Sequence, residues 1–524
     1  MCGSMEYVWV SLSSLLFLFL KKNISMRYFG NFICRLYKFH TISILIVFIS
    51  FNVSAQSSLY CYNIEMLYEI SSGNFSPFWF MANKHGVTSI ENKWGYMRMG
   101  ITGTNLIKNN WKFEYGADII AGKNLSHDIF VQQMYADVSW RWLRLSVGKK
   151  ERSGELKNST LSTGTLIESG NATPIPQMRI EFSEYHDFFG TDGWLGLRGH
   201  IAYGWFADGN WQENWVSDGG RYAKNILYHS KSLFWKVGKE QCFPLTYEGG
   251  VLFATQFGGK IYNYMNNPEE NFKMPTRLKD FWNVFIFSAG DKKYDLGDQL
   301  NVAGNHLGSY HLSLKWSKNN WSIRGYYEHM FEDHSGMFWE YGLWKDCLVG
   351  IELKFKEFRF IDNFVVEYFN SHDQAGPINH DATEEIPDQI SAVDDYFDHH
   401  TYPCWQQYGM TIGTPLITSC LYNESHIFNI YNNRVEAFHL GFSGQLIKRL
   451  NYRILLTKSH NWGTYKSPFT EIKSNLSGLI EFSYMPNWAE GFSGTFSIAF
   501  DKGELYGNNK GIMFTIKKCG IFSK

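Results

Sequence analysis

The sequence predicts an all-β protein: a single antiparallel transmembrane β-barrel with long loops and one short helical segment. Three observations lead to this fold class. Apolar and polar residues alternate with a period of two in many segments of roughly ten residues. Short polar turns and long polar loops separate these segments. Aromatic residues are abundant, with 42 Phe, 31 Tyr and 19 Trp among 524 residues.

The charge composition excludes two classes of protein. The chain contains 49 Lys and Arg against 50 Asp and Glu, which gives a net charge of -1. A nucleic-acid-binding protein held by a broad positive field is therefore not expected. A disordered chain is excluded as well, because disorder requires few aromatic residues and a high net charge.

The N-terminus has the pattern of a secretory signal peptide. The apolar stretch Thr41–Val53 follows a basic segment and ends in small residues, so we expect cleavage after Ala55. The basic residues are Arg27, Arg35 and Lys38. Met26–Ala55 is a complete signal peptide by itself, which makes Met26 an alternative start. The predicted organisation is a signal peptide at 1–55 and one barrel domain at 56–524, and a retained membrane anchor is the alternative.

The alternation is clearest in the segment 492–500. Phe496 and Ile498 share one strand face, whereas Thr495 and Ser497 share the other. Similar patterns occur at 96–104, 133–140, 143–149, 195–203, 311–316, 321–328, 349–356, 358–368, 436–444, 452–458 and 478–484. A closed barrel satisfies every backbone polar group inside a bilayer without helices. The mature chain has room for roughly 16–20 such strands.

The connections between these segments differ in length. Arg141-Trp142 and Ser317–Asn320 are short polar junctions typical of hairpins, whereas 151–178 and 370–412 are long. Short turns at one end and long loops at the other are the layout of an outer-membrane barrel. A secreted soluble β-protein, either a propeller or stacked sandwiches, is the alternative because its strands also alternate.

One segment, 276–288, departs from the strand pattern. Its apolar residues have the spacing of an amphipathic helix, and they are Leu278, Phe281, Trp282, Phe285 and Ile286. Pro275 stands just before it, where proline is well tolerated. We therefore predict a short helix in a loop or at the barrel mouth, and an irregular strand is the alternative.

Charged residues on the polar strand faces have mixed signs. They are Arg144, Arg198, Arg324, Glu328, Glu352, Lys354, Glu367, Arg453 and Glu481. A pore selective for ions of one charge would be lined by an excess of residues of one sign. We therefore predict that these residues form ion pairs that fill the interior.

No cofactor or metal is predicted. Six cysteines follow Ala55, and none forms a CxxC pair. Asp398-His399-His400 together with Asp394 is the nearest approach to a metal site, but no HExxH helix accompanies it. Adjacent histidines on a polar loop are typical of a solvated segment.

A series of motifs at strand ends and in loops runs in order through the mature chain. The segments are Gly148–Glu151, Ser162–Gly164, Ser169–Gln177, Gly304–Tyr310, Glu332–Gly336, Glu367-Tyr368 with Gly376-Pro377, Asp394–Phe397, Gly409–Leu416, Asn432–Val435 and Thr457–Tyr465. Taken in order, they resemble the Wzi-type capsule-assembly proteins in the form carried by Bacteroides-like bacteria.

The resemblance implies an outer-membrane β-barrel of about 18 strands. It also implies a lectin-like role, in which the protein binds capsular polysaccharide and anchors or organises it at the cell surface without catalysis. The expected partners are capsular polysaccharide, outer-membrane lipid and the barrel-assembly machinery. Phe522, near the C-terminus, is expected to be the signal for that machinery, and no nucleic acid is expected as a partner.

Candidate sugar-binding residues lie in the polar loops and at strand ends. Trp and Tyr offer flat apolar faces, while Asp, Asn, Gln and His hydrogen-bond to hydroxyls. The candidates are Asn171, Gln177, Asp333, His334, Trp339, Asp395, Tyr396, Trp405, Asn461, Trp462 and Tyr465. The alternative for each residue is that it orders the loops and plugs the barrel.

Two other functions stay open. An outer-membrane porin or substrate-specific channel would have an open lumen. A glycoside-active enzyme would need two carboxylates that face each other roughly 5–10 Å apart. No catalytic residue is predicted, so the lectin-like role comes first.

Overall fold

The computed structural model describes residues 57–522, except 108–109, 265–266, 268–269, 295–301, 333–334, 338–344, 375–378, 381–389 and 392–393. The predicted signal peptide at 1–55 and the alternative start at Met26 lie outside the described residues. Ser58–Lys524 form one unit.

Eighteen strands form one antiparallel sheet that closes on itself. They are β1 (Ser57–Ser72), β2 (Lys93–Ile107), β3 (Trp111–Lys123), β4 (Ile129–Trp140), β5 (Leu143–Lys149), β6 (Gln177–His186), β7 (Leu195–Trp205), β8 (Leu227–Val237), β9 (Leu245–Phe257), β10 (Asn305–Ser317), β11 (Trp321–Phe331), β12 (Cys347–Phe355), β13 (Asn363–Asn370), β14 (Val435–Ile447), β15 (Leu450–Gly463), β16 (Pro468–Tyr484), β17 (Phe492–Gly503) and β18 (Asn509–Phe522). The predicted barrel of about 18 strands is confirmed.

The first and last strands close the barrel. β1 pairs with β18 from Tyr60 opposite Phe522 to Ser72 opposite Lys510. Each other strand pairs with its neighbours in chain order. Closure leaves no open sheet edge, so the strands' backbone groups can be satisfied without water.

The two faces of the strands segregate as the alternation predicts. In β17, Phe496 and Ile498 are exposed, whereas Ser497 and Ala499 are buried inside. Exposed apolar residues occur around the whole wall, among them Met66, Ile101, Ile119, Val147, Ile180, Ile201, Leu233, Leu314, Ile351, Leu440, Leu456, Ile480, Phe514 and Ile516. The wall therefore has the apolar outer band of a membrane-embedded barrel.

The two ends of the barrel differ. One end, called the turn end here, is where β1 begins and β18 finishes. Its turns are 108–110, 141–142, 187–194, 238–244, 318–320, 356–362, 448–449 and 485–491. The opposite end, called the loop end here, has the connections 73–92, 124–128, 150–176, 206–226, 258–304, 332–346, 371–434, 464–467 and 504–508. In outer-membrane barrels the longer loops are extracellular.

Within the described part of the chain, three α-helices lie in the connections of the loop end. They are α1 (Phe78–Met81), α2 (Trp211–Trp215) and α3 (Leu278–Ile286). α3 confirms the helix predicted at 276–288, and the Asp280 carboxylate caps it by accepting the backbone N–H of Arg277 at 2.5 Å. No helix among the described residues is long and apolar enough to cross a bilayer.

Candidate functional site

Buried ion pairs inside the barrel tie its wall to the loop 150–176. Arg324 pairs with Glu352 at 2.5 Å between neighbouring strands. Lys157 of the loop pairs with Glu328 of β11 at 3.1 Å. The predicted pairing of lumen-facing charges is thus confirmed for these residues, with further pairs at Arg144–Glu181, Arg198–Glu155 and Arg453–Glu481.

The loop 150–176 crosses the lumen. Its Thr163 donates to Glu367 of β13 through both the backbone N–H (2.8 Å) and the hydroxyl (2.7 Å). The Ser162 hydroxyl donates to the same carboxylate at 2.5 Å. On the neighbouring strand β14, His439 bonds to the carbonyl of Leu161 at 2.7 Å. The loop is therefore held against the wall by buried polar contacts.

The loop 371–434 packs onto the loop 150–176. The indole N–H of Trp405 donates to the carbonyl of Ile167 at 2.8 Å, and Thr414 donates its backbone N–H to the carbonyl of Leu166 at 2.8 Å. The loop 73–92 joins them through α1, whose four residues are all buried. Together these three loops form the plug of the barrel.

A cavity of about 90 Å³ remains between the plug and the wall. Its lining includes Arg152, Glu155, Glu168, Arg179 and His200. Burial raises the pKa of the Glu168 carboxyl to about 7, although Arg179 and Ser230 act to lower it. This carboxyl lies at the end of a hydrogen-bonded chain, because the Ser230 hydroxyl contacts both Glu168 (3.3 Å) and His200 (2.8 Å).

Five of the eight described sugar-binding candidates are buried, three of them in the plug and two on the strands β6 and β15. Tyr396 and Trp405 are fully buried, and the Tyr396 hydroxyl donates to Asp346 at 3.0 Å. Asn171 joins two loops by donating to the carbonyl of Thr411 at 2.9 Å. Asn461 is also fully buried, and Gln177 lines the cavity. In these positions the side chains order the loops and are not open to a polymer outside.

Three other candidates lie nearer the surface. Asp395 is partly exposed and pairs with Lys466 at 2.7 Å. Trp462 packs against His372, with the two ring centres 4.4 Å apart. Tyr465 is exposed, with the guanidinium of Arg434 3.9 Å from its ring centre. Asp333, His334 and Trp339 lie outside the described residues, so a sugar-binding role for them stays a prediction.

A small sheet at the loop end presents aromatic and basic side chains that the sequence reasoning missed. Its strands are Tyr222–Lys224, Lys260–Tyr262 and Phe272–Lys273. The register sets Tyr222 opposite Tyr262, and Lys260 opposite both Lys224 and Lys273. Residues directly opposite each other point to the same face, so these five side chains share one face, called the Tyr/Lys face here.

The opposite face of the small sheet is anchored in the protein. Ala223 and Ile261 are buried, whereas Tyr222, Tyr262 and the lysines are partly or fully exposed. The two tyrosine rings are stacked, with centres 4.8 Å apart and planes 3° from parallel. The sequence signal for this face is the mirrored pair Tyr-Ala-Lys and Lys-Ile-Tyr, which places like residues opposite each other only in an antiparallel register.

The residues around the Tyr/Lys face add a carboxylate and more aromatic surface. Glu213 of α2 pairs with Lys224 at 2.6 Å and accepts the Tyr222 hydroxyl at 3.1 Å. On the same helix, Trp211 and Trp215 stack with ring centres 5.5 Å apart. Among the described residues, no group of three or more His, Cys, Asp or Glu side chains is placed to hold a metal.

No protein-family model matches the chain, and no curated protein matches it significantly. Among solved structures, the chain is similar to Wzi of Escherichia coli, described as an outer-membrane protein involved in group 1 capsule assembly and a carbohydrate-binding β-barrel. The TM-score is 0.51 at 12% identity, over 91% of this chain and 87% of that one. OccK5 (OpdH) of Pseudomonas aeruginosa matches with a TM-score of 0.46 at 8% identity, over 90% of this chain and 99% of that one.

The likeness to Wzi shows the fold and no more. With its apolar outer band and closed 18-stranded sheet, the chain is an outer-membrane β-barrel. Membership of the Wzi-type family stays a prediction.

Proposed function

We propose that this protein binds polysaccharide at the cell surface and anchors or organises it there as a capsule-assembly lectin, without catalysis. The observation that carries the proposal is the Tyr/Lys face at the loop end, the end expected outside the cell. The sequence resemblance to Wzi-type proteins and the description of Wzi as a carbohydrate-binding barrel support it.

The chemistry of the Tyr/Lys face suits a sugar polymer. Tyr222 and Tyr262 combine ring surface with a hydroxyl, so they can contact the C–H groups of a pyranose and hydrogen-bond its hydroxyls. Lysine ammonium groups make charge-assisted hydrogen bonds to carboxylates and phosphates. A face that combines both groups can bind a chain of rings with acidic substituents.

The row of lysines favours an anionic polysaccharide. Lys224, Lys260 and Lys273 occupy directly opposite positions on three strands, where like charges are destabilising. Within the described part of the chain, Glu213 is the carboxylate paired with this row, through Lys224. The row keeps a net positive charge, which an acidic polymer would neutralise.

The plug supports binding at the outside in preference to passage through the barrel. Glu367 and Glu328 hold the loop 150–176 across the lumen, and the loop 371–434 covers it. Such a plug gives the loop end a rigid base, and rigid support reduces the entropy lost on binding.

A porin or substrate-specific channel is the second candidate. Its support is the cavity of about 90 Å³ inside the barrel, whose lining includes the charged residues Arg152, Arg179 and Glu155. Conductance in planar bilayers separates the two functions. A channel conducts as purified, whereas the polysaccharide-binding barrel conducts only when its plug is released.

The proposal is tested by measuring binding of the purified barrel in detergent to immobilised polysaccharides. The probes are alginate as an anionic polymer, dextran as a neutral one, and polysaccharide extracted from the surface of the bacterium that carries the protein. We expect binding to the surface polysaccharide and to alginate in preference to dextran. Binding should weaken as salt rises, because screening reduces exposed charge interactions.

Two pairs of variants locate the binding. Tyr222→Ala with Tyr262→Ala, and Lys224→Gln with Lys260→Gln, should each weaken binding by about tenfold, equivalent to roughly 1.4 kcal/mol. The matched controls Tyr484→Ala and Lys315→Gln lie at the turn end and should bind as the unaltered protein does. No binding to any of the three polymers, or equal loss in variants and controls, would contradict the proposal.

A further inference from the structure

Helix α3 lies against the outside of the barrel wall. Tyr203 of β7 points outward, because its neighbour Ala202 is buried inside, and its ring centre is 5.5 Å from that of Phe281. The Tyr203 hydroxyl donates to the carbonyl of Phe281 at 3.1 Å. Just after the helix, Phe287 packs against the outward-facing Phe253 of β9 at 4.6 Å.

The helix covers polar groups on the outer wall whose exposure to lipid would be energetically costly. Lys231 of β8 faces outward, since its neighbours Ser230 and Ser232 contact His200 inside. The Lys231 ammonium donates to the carbonyl of Phe285, in the last turn of α3. A cation is favourable there, because the C-terminal carbonyls of a helix carry partial negative charge.

A ring of aromatic side chains encloses the same ammonium group. The ring centres of Phe253, Phe285 and Phe287 lie 5.4, 4.6 and 4.0 Å from the Lys231 nitrogen. On β10, His306 also faces outward, and its ring centre lies 5.0 Å from that of Phe287. α3 and the residue after it therefore cover the polar part of this wall.

The other face of α3 is apolar and open. Leu278, Trp282 and Ile286 are 73%, 60% and 48% exposed, and their spacing of four residues places them on one side of the helix. Asp280 and Val284 are fully buried on the opposite side. Exposed apolar groups of this size on a helix need an apolar environment or a partner.

The open face continues the lipid-facing band of the barrel. Ile201 and Leu233 are exposed on the wall, two residues toward the turn end from Tyr203 and Lys231. Two residues of a strand span about 7 Å, so the band passes directly into the helix. Lys279, in the first turn, is exposed, as basic residues are on helices at a membrane interface. Arg277, at the N-cap, is paired with Asp280 and Asp291.

We propose that α3 is an interfacial membrane helix, inserted with Leu278, Trp282 and Ile286 among the acyl chains of the outer leaflet. It replaces the wall's polar patch around Lys231 and His306 by an apolar surface, and it extends the lipid-facing band at the loop end. The inference is independent of the polysaccharide-binding function.

Spin labels test the proposal in the protein reconstituted into phosphatidylcholine–phosphatidylglycerol liposomes. Cys61, Cys242 and Cys519 are first replaced by Ser, because they are the partly or fully exposed cysteines among the described residues. Single labels are then placed by Trp282→Cys and Ile286→Cys. References are Ile201→Cys in the lipid-facing band and Lys273→Cys on the small sheet, with the unlabelled triple variant as background.

Accessibility to oxygen, which concentrates in lipid, is compared with accessibility to a water-soluble nickel chelate. Labels at 282 and 286 should match the label at 201, with high oxygen and low nickel accessibility, and differ from the label at 273. Nickel accessibility equal to that at 273 would overturn the proposal. Low accessibility to both reagents would overturn it too, since that result indicates a protein partner or a second copy on this face.

Discussion

The carboxylate of Glu367 on β13 accepts both the backbone N–H and the hydroxyl of Thr163, at 2.8 and 2.7 Å. This contact is one of several that hold the centre of the loop 150–176 to the barrel wall. Tyr326 donates to the same carboxylate at 2.6 Å, so the buried charge is hydrogen-bonded from both the wall and the plug. Buried charges with several donors are costly to disturb, because removing one partner leaves the others unpaired.

Glu367→Ala should release the plug. The hydroxyls of Ser162, Thr163 and Tyr326 lose their acceptor, and we expect a loss of roughly 3–5 kcal/mol of stability. The measurements are the thermal unfolding midpoint in detergent and the conductance in planar bilayers. The midpoint should fall and conductance steps should appear. Glu357→Ala, at a turn of the other end where Glu357 accepts a bond from Asn320, is the control and should change neither quantity.

Gly441→Ala should disturb the same loop from β14. A Cβ at this glycine would lie 2.5 Å from the backbone carbonyl oxygen of Leu161, which cannot rotate away. Overpacking of this kind costs about 1–3 kcal/mol. We expect faster cleavage of the loop 150–176 by added protease, followed by mass spectrometry. Gly325→Ala is the matched control, because a Cβ there meets no atom within 4 Å; equal cleavage of both variants would contradict this placement of the loop.

Phe496→Lys should impair membrane assembly. Phe496 is exposed on the lipid-facing side, and a lysine near the bilayer midplane costs about 2–4 kcal/mol. The readout is the heat-modifiable migration of the folded barrel in gels. Thr495→Asn, on the interior face beside it, should assemble normally, and equal effects at both positions would refute the assignment of faces. Ser497, on the same interior face, is fully buried and donates its hydroxyl to Glu481 at 3.1 Å.

Glu168→Gln should alter the dependence of stability on pH. Burial raises the pKa of the Glu168 carboxyl from 4.5 to about 7, so the folded state binds a proton that the unfolded state releases. Its stabilising contribution is complete below pH 4.5 and is lost as pH rises to about 7. Thermal unfolding midpoints of the variant and the unaltered protein should agree at pH 4, and the variant should be the more stable one at pH 8. A constant difference at all pH values would exclude this role for Glu168.

The barrel was predictable because lipid imposes a strict alternation on every strand. Phe496 and Ser497 must face opposite environments, and this pattern survives in a single sequence. From the sequence, a plug could be predicted only as the alternative role of the sugar-binding candidates. Trp405 and Tyr396 have the composition of sugar-binding residues, but long-range packing between the loops 150–176 and 371–434 buries them, and no local pattern encodes that packing.

Two features needed the structure. The Tyr/Lys face forms only where Tyr222 and Tyr262, forty residues apart in sequence, meet in register. α3 was predicted as a helix, but its place on the wall was not. Lys231 could have indicated this position from the sequence. A lysine at an outward position of an apolar strand contradicts the pattern unless another element covers it.

Deletion of the gene in the native bacterium, followed by measurement of cell-attached and released polysaccharide, tests the central claim most directly. The account predicts that polysaccharide is still made but is shed into the medium, and that the unaltered protein restores attachment while Tyr222→Ala with Tyr262→Ala does not. Polysaccharide that stays attached at normal levels in the deletion strain would contradict it.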